Sequence, residues 1–165
     1  MVKILIDEEY RRELHTTLKC AKSNIRAMMY RIHRRVGFGK GSQNKVLTIL
    51  KEKASQGLKV QLIIDIERRP GVAYKENLFC ANDLVKFDVE CKELRLTRVC
   101  HAKMVIVDDR EILLGSHNWT FNSLTRNLEI SALIIDSYEA KKMARYFDKL
   151  FANAEYIVKP QPKRG

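Results

Sequence analysis

The sequence predicts an α/β layered domain, a central, mostly parallel but mixed β-sheet flanked by helices. Three observations predict it. Apolar runs of strand length alternate with stretches whose apolar residues recur every three or four positions. One run, residues 58–66, is almost continuously apolar, as a strand covered on both faces would be. Two further runs, 104–107 and 111–114, flank Asp108-Asp109-Arg110 as a hairpin would, and that hairpin makes the sheet mixed.

The elements follow in order. Asp7 is placed to cap a helix whose Tyr10, Leu14, Leu18 and Ala21 share one face. Residues 25–32 form a short buried strand, and 34–41 a basic loop holding Gly37, Gly39 and Gly41. Ser42 then caps a second helix with Val46, Leu47, Leu50 and Ala54 inward, and Gly57 ends it before the 58–66 strand. Arg68-Arg69-Pro70-Gly71 is a turn, followed by a helix over 74–87 and a strand over 90–96. After the hairpin come a helical turn at 119–126 and a strand at 128–135. Ser137 opens a last helix with Ala140, Met143, Phe147, Leu150 and Phe151 inward. With no repeat and no linker, residues 1–155 read as one domain and 156–165 as a loose basic tail.

A chain of 165 residues, 45% hydrophobic and 31% charged, suits one soluble globular unit. No apolar run approaches the roughly 20 residues that cross a bilayer, and a secretory leader is not visible, so the expected compartment is the cytoplasm. Cys20, Cys80, Cys91 and Cys100 form no closely spaced pair, which argues against a zinc site. Lys and Arg number 31 against 20 Asp and Glu, a net charge of +11 that favours polyanionic partners.

The chemistry concentrates near residue 100. On a strand His101 and Lys103 project to one side while Ala102 points away, and Ser116 and Asn118 repeat the arrangement. If the two strands pair, a nucleophile, a fixed cation, a hydroxyl and an amide converge beside an apolar sheet, with no carboxylate cluster for Mg²⁺ or Ca²⁺. Such a pocket suits an anion whose transition state spreads charge over non-bridging oxygens, as a phosphate does.

The spacing His101-x-Lys103-x4-Asp108-x6-Gly115-Ser116-x-Asn118 resembles the signature of the phospholipase D superfamily. Residues 21–30 and 57–65 look like that family's first helix-to-strand segment and second strand, and Glu129 like its trailing acidic position. The likeness is greatest to the short, single-motif bacterial endonuclease branch. The resemblance implies that His101 attacks phosphorus to give a phosphohistidine, while a second histidine protonates the leaving oxygen and then activates water. It implies that Lys103, Ser116 and Asn118 hold the non-bridging oxygens without a metal or other cofactor, and that Glu129 orients a histidine. Asp108 falls on the opposite side of the strand and reads as scaffold. One motif supplies one histidine where two are needed, so the expected assembly is a homodimer with both His101 side chains on its axis.

The remaining histidines carry no such pattern. His117 and His15 read as packing residues, and His33 lies among arginines. Arg31, Arg34, Arg35 and Lys40 are candidate nucleic-acid contacts, although their loop matches no phosphate-binding motif. The expected function is a nuclease acting on DNA or RNA, without stable membrane association. A phospholipid phosphodiesterase and a non-catalytic nucleic-acid-binding module are the alternatives.

Overall fold

The structure, a computed structural model, describes residues 1–37, 42–65, 72–94 and 99–157. The Arg68–Gly71 turn, Lys40, and most of the tail lie outside these residues.

Among the described residues eight strands form one sheet in the order β1-β7-β6-β5-β2-β3-β4-β8. They are β1 (Val2–Ile6), β2 (Asn24–Met29), β3 (Lys59–Ile64), β4 (Glu90–Glu93), β5 (Lys103–Val107), β6 (Glu111–Gly115), β7 (Ile130–Ile135) and β8 (Glu155–Tyr156). The helices are α1 (Glu8–Cys20), α2 (Lys45–Ser55), α3 (Val72–Val85), α4 (Phe121–Thr125) and α5 (Ser137–Ala152). The layered α/β class is as the sequence predicts, but the balance of the sheet is not. Only β2–β3 and β3–β4, joined through α2 and α3, are parallel; the pairs β1–β7, β2–β5, β4–β8, β5–β6 and β6–β7 are antiparallel. The tight turn of β5–β6 allows only an antiparallel pair, and in the β1–β7, β2–β5 and β4–β8 pairs the direction is set by how segments distant in the chain meet.

Two cores sandwich the sheet. On one face Leu5, Ile25, Ala27, Leu62, Val105 and Leu113 pack with Leu14 and Leu18 of α1 and Val46 and Leu50 of α2. On the other, Met28, Ile63, Ile106 and Ile112 pack under Phe147 and Phe151 of α5. The β5–β6 hairpin turns through Asp108 and Asp109, both at φ 53°, with Arg110 donating to the Val107 carbonyl at 3.0 Å. Two consecutive left-handed residues give the turn a twist that matches its strands, and Asp tolerates that region better than bulkier side chains do.

Some boundaries move. Val2–Ile6, unassigned from sequence, is an edge strand. Asn44 and Asp136, not Ser42 and Ser137, cap α2 and α5 with their side chains. Asp7 precedes α1 but makes no side-chain cap, because its carboxylate accepts from the Glu129 N–H at 2.9 Å instead. Tyr156 joins β8 and Ile157 donates to the Cys91 carbonyl. No described helix is long and apolar enough to cross a membrane.

Candidate active site

Lys103 opens β5 opposite Met29, the last residue of β2, and His101 sits two residues ahead of it. His101 is exposed while Lys103 is buried, at 8% exposure. The Lys103 ammonium donates to the His101 carbonyl at 2.7 Å and lies 3.0 and 3.2 Å from the ring nitrogens Nδ1 and Nε2. Being nearly equidistant from both nitrogens, it does not point along a single lone pair. Tyr30, just past β2, sets its ring 4.5 Å from that of His101, and its centroid lies 5.0 Å from both the Lys103 ammonium and the Arg31 guanidinium. An aromatic face so placed attracts cations and fixes where they stand.

Arg31 completes this end of the site. Its main-chain N–H donates to Asn118 Oδ1 at 3.1 Å, which fixes the orientation of the Asn118 amide. The Arg31 Nε is buried and has no hydrogen-bond partner. An orphaned guanidinium donor beside a buried lysine is costly unless an acceptor arrives. Burial holds the Lys103 pKa below its ordinary value and Arg31 lowers it further, while Glu129 and Cys100 pull the other way. Lys103 therefore lies within electrostatic reach of both Arg31 and Glu129.

Glu129 sits just ahead of β7 at 9% exposure. One of its carboxylate oxygens accepts from the Ser116 hydroxyl; the other accepts from Ser123 Oγ at 2.7 Å and Asn127 Nδ2 at 3.1 Å. Burial raises its pKa, but those three donors outweigh it and leave the carboxyl below its usual range. No histidine of its own chain hydrogen-bonds to it among the described residues. Ser116 follows the last residue of β6 and is held by Ile130, whose N–H donates to its Oγ at 3.1 Å. The hairpin register, Met104 opposite Leu114, brings the 101–103 and 116–118 segments to one end of the sheet.

Several other sequence expectations have definite places. Asp108 accepts from the N–H groups of Lys22, Ser23 and Asn24 and from the Ser23 hydroxyl, at 2.8–3.0 Å. It ties the hairpin to the start of β2, away from the reacting groups. His117 is fully buried and stacked on Tyr10 at 4.2 Å. Its Nε2 donates to the Asp7 carbonyl at 3.0 Å, so Nδ1 accepts from Ser131 Oγ at 2.7 Å. Burial depresses its pKa, and it stays a neutral packing residue. Cys100 is buried, which raises its thiol pKa and keeps it protonated. Trp119 is fully buried and unavailable for stacking on a base. Arg34 pairs with Glu76 at 3.2 Å and lies over Phe79, and Arg35 is exposed at the neck of the basic loop. Arg31 thus joins the site, whereas Arg34 and Arg35 lie beside it. No group of three His, Cys, Asp or Glu that could hold a metal occurs among the described residues.

Tyr30, Ser123, Asn127 and Asp7 are the site neighbours that sequence reasoning missed. Tyr30 and Asp7 act through pairings between distant segments, Ser123 and Asn127 through a local bend toward Glu129, and none forms a motif of its own.

Residues 14–151 match the family model described as cardiolipin synthase, PLD-like domain. Cardiolipin synthase 1 of Staphylococcus epidermidis is 27% identical over 113 residues, 68% of this chain and 23% of that protein. The chain thus spans less than a quarter of the length of the curated relatives it matches. Among solved structures, Nuc of Salmonella typhimurium, described as a phospholipase D family member, superposes with a TM-score of 0.79 at 19% identity, over 94% of this chain and 97% of that one. NucT of Helicobacter pylori superposes with a TM-score of 0.76 at 21% identity, over 94% and 99%.

Proposed function

From the chain's membership of the phospholipase D superfamily, to which it belongs by its PLD-like domain, we propose that it cleaves nucleic acid through a phosphohistidine on His101. Phosphodiester chemistry is what the superfamily assignment supports, and the site supplies its parts. The observation that carries the reading is an exposed imidazole in contact with both the Tyr30 ring and the Lys103 ammonium, which also face each other.

In the first step an imidazole nitrogen of His101 bonds to phosphorus and the bond to the leaving oxygen breaks. Lys103 and Asn118 Nδ2 donate to the non-bridging oxygens as their charge grows, aided by Arg31, while the Ser116 hydroxyl, expected to join them, gives its one proton to Glu129 instead. The leaving oxygen takes its proton from a second histidine, the same residue of a second copy. That histidine then removes a proton from water, whose oxygen attacks phosphorus and breaks the P–N bond, releasing phosphate monoester and free His101. Glu129 holds Ser116 in place through its hydrogen bond and offers a negative charge toward the paired imidazoles.

A second copy has a suitable surface to meet. Val2, Ile4 and Ile6 of β1 and Ile130 of β7 lie on one face by register, with Leu114 and Leu128 beside them, all exposed. Leu114, Leu128 and Ile130 immediately flank the Gly115–Ser116 and Glu129 positions. A two-fold dimer burying this corner of the sheet would bring two sites together.

A net charge of +11 and the near-complete structural agreement with Nuc and NucT favour nucleic acid as substrate. The likeness to cardiolipin synthase 1 favours a second reading, a phospholipid phosphodiester. Incubation with plasmid, single-stranded DNA, RNA and phosphatidylglycerol vesicles in EDTA separates them. The expected result is nucleic-acid cleavage that survives EDTA and falls about 10⁴-fold or more in His101→Ala. Binding without turnover would favour a docking module, and lipid turnover alone the second reading.

A further inference from the structure

A second group of cations stands apart from His101 and Lys103, at the same end of the sheet. α1 has thirteen residues and reaches β2 through a short connection. At about 1.5 Å per residue it extends roughly 20 Å back, about the length of a six-residue strand. Its first turns therefore lie level with the end of β2, where Met29 meets Lys103. α2 starts where the chain has left that same end and runs back to feed β3, which is parallel to β2.

Between the N-terminal halves of these helices is a cleft of about 400 Å³ whose lining includes Arg11, Arg12, His15, Asn44, Lys45 and Leu124. None of its lining residues is acidic. Arg11 and His15 are four residues apart on α1 and share one stripe, which Lys19 extends. Burial holds the His15 pKa down, and Arg11, Lys45 and Lys19 lower it further, as a positive potential would. Arg11 has Glu8 at 3.5 Å, whereas Arg12 and Lys45 are exposed and form no salt bridge among the described residues.

The cleft has a fixed wall that borders the active site. Asn44 donates to the carbonyls of Trp119 and His33 at 3.1 and 2.9 Å and accepts from the Val46 N–H, so it cannot swing away. Trp119 follows Asn118, and Leu124 follows Ser123, which holds both Glu129 and the Asn118 N–H. A smaller cleft of about 210 Å³ shares Gln43 and Asn44 and is lined by Arg34, by the exposed Arg35 and by the Lys51–Asp83 ion pair.

We propose that this cleft is a track for the sugar-phosphate backbone of a polynucleotide, binding phosphates beyond the one that reacts at His101. Its lining is cationic and contains no Phe, Tyr or Trp, so it grips the backbone without reading bases. A concave, polar site fits a strand better than a bilayer, which would call for exposed apolar side chains among the cations. The proposal rests on the nuclease reading for its substrate.

The test uses the full chain carrying Arg12→Gln and Lys45→Gln, both at exposed positions. Bis(p-nitrophenyl) phosphate is too small to span site and cleft, and its turnover reports the active site alone. Single-stranded DNA of about 30 nucleotides reports both. The expected result is a KM for the oligonucleotide raised about tenfold, kcat and small-diester turnover within twofold, and a salt slope of binding reduced by about 1.4, two contacts at roughly 0.7 each. Anisotropy in the His101→Ala background measures binding without cleavage. Wild-type affinity and salt slope in the double variant would overturn the proposal, as would equal loss of small-diester turnover. Loss confined to binding of phosphatidylglycerol vesicles would overturn it in favour of a membrane. DNA binding that depends on Arg12 and Lys45 without any cleavage would sink the nuclease reading and leave the track standing.

Discussion

At the scale of single residues, the site depends on a buried cation that is not fully neutralised. In the proposed reaction Lys103 must carry its proton to hold a phosphoryl oxygen, yet burial and the neighbouring Arg31 both favour the neutral amine. A lowered pKa means that the charged form is lost sooner as pH rises. The alkaline limb of the pH–rate profile for bis(p-nitrophenyl) phosphate should therefore fall below the ordinary lysine value of 10.5. Lys103→Arg keeps the charge, so its profile should lose that limb while turnover drops about 10- to 100-fold from misfit geometry. An unchanged limb would show that another group sets it. His101, Lys103, Ser116 and Asn118 were legible in the sequence because strand alternation and one local motif select them. Tyr30 and Ser123 were not, since their proximity to the site depends on which strands pair and where the chain bends. The orphaned Arg31 Nε is visible only in three dimensions.

At the scale of elements, the crossing of β6 and β7 sets the Ser116 position. A Cβ on Gly115 would run into the Ser131 side chain and backbone and come within 2.6 Å of the Ile130 carbonyl. Gly115→Ala should cost about 1–3 kcal/mol in thermal or denaturant unfolding. It should reduce turnover beyond what that loss explains, because Ser116 and its hold on Glu129 shift with the strand; full activity at reduced stability would show that the site tolerates the shift. The hairpin was readable from the apolar runs on either side of Asp108-Asp109-Arg110, and α1, α2 and α5 from their apolar spacing. The true cap of α2 was hidden because Arg35 pairs with Gln43, carrying the chain past Ser42 before the helix begins at Lys45. β1 was missed because its five residues expose three of their apolar side chains, and only its pairing with β7 identifies it as a strand.

At the scale of the whole molecule, the proposed dimer and the proposed active site stand or fall together. Sedimentation should give twice the chain mass of 19.2 kDa, about 38 kDa. Ile4→Glu with Ile130→Glu, at positions 58% and 64% exposed, should leave the monomer folded, separate the copies and abolish turnover. A fully active monomer would overturn the composite site. The parallel bias expected from the sequence failed at this scale, because strand direction depends on how the ends of distant segments meet. The fastening of β1 carries one more consequence. Val2–Ile6 pairs only with β7, and Asp7 grips Glu129 through both its main-chain N–H and its carboxylate. More than 120 residues separate these partners along the chain, so closing that loop is a late and entropically costly contact. During synthesis the first strand must wait for the seventh to be made. The chain therefore fastens its first strand and fixes the Glu129 carboxylate in the same step, and a ribosome-bound fragment lacking β7 has neither in place.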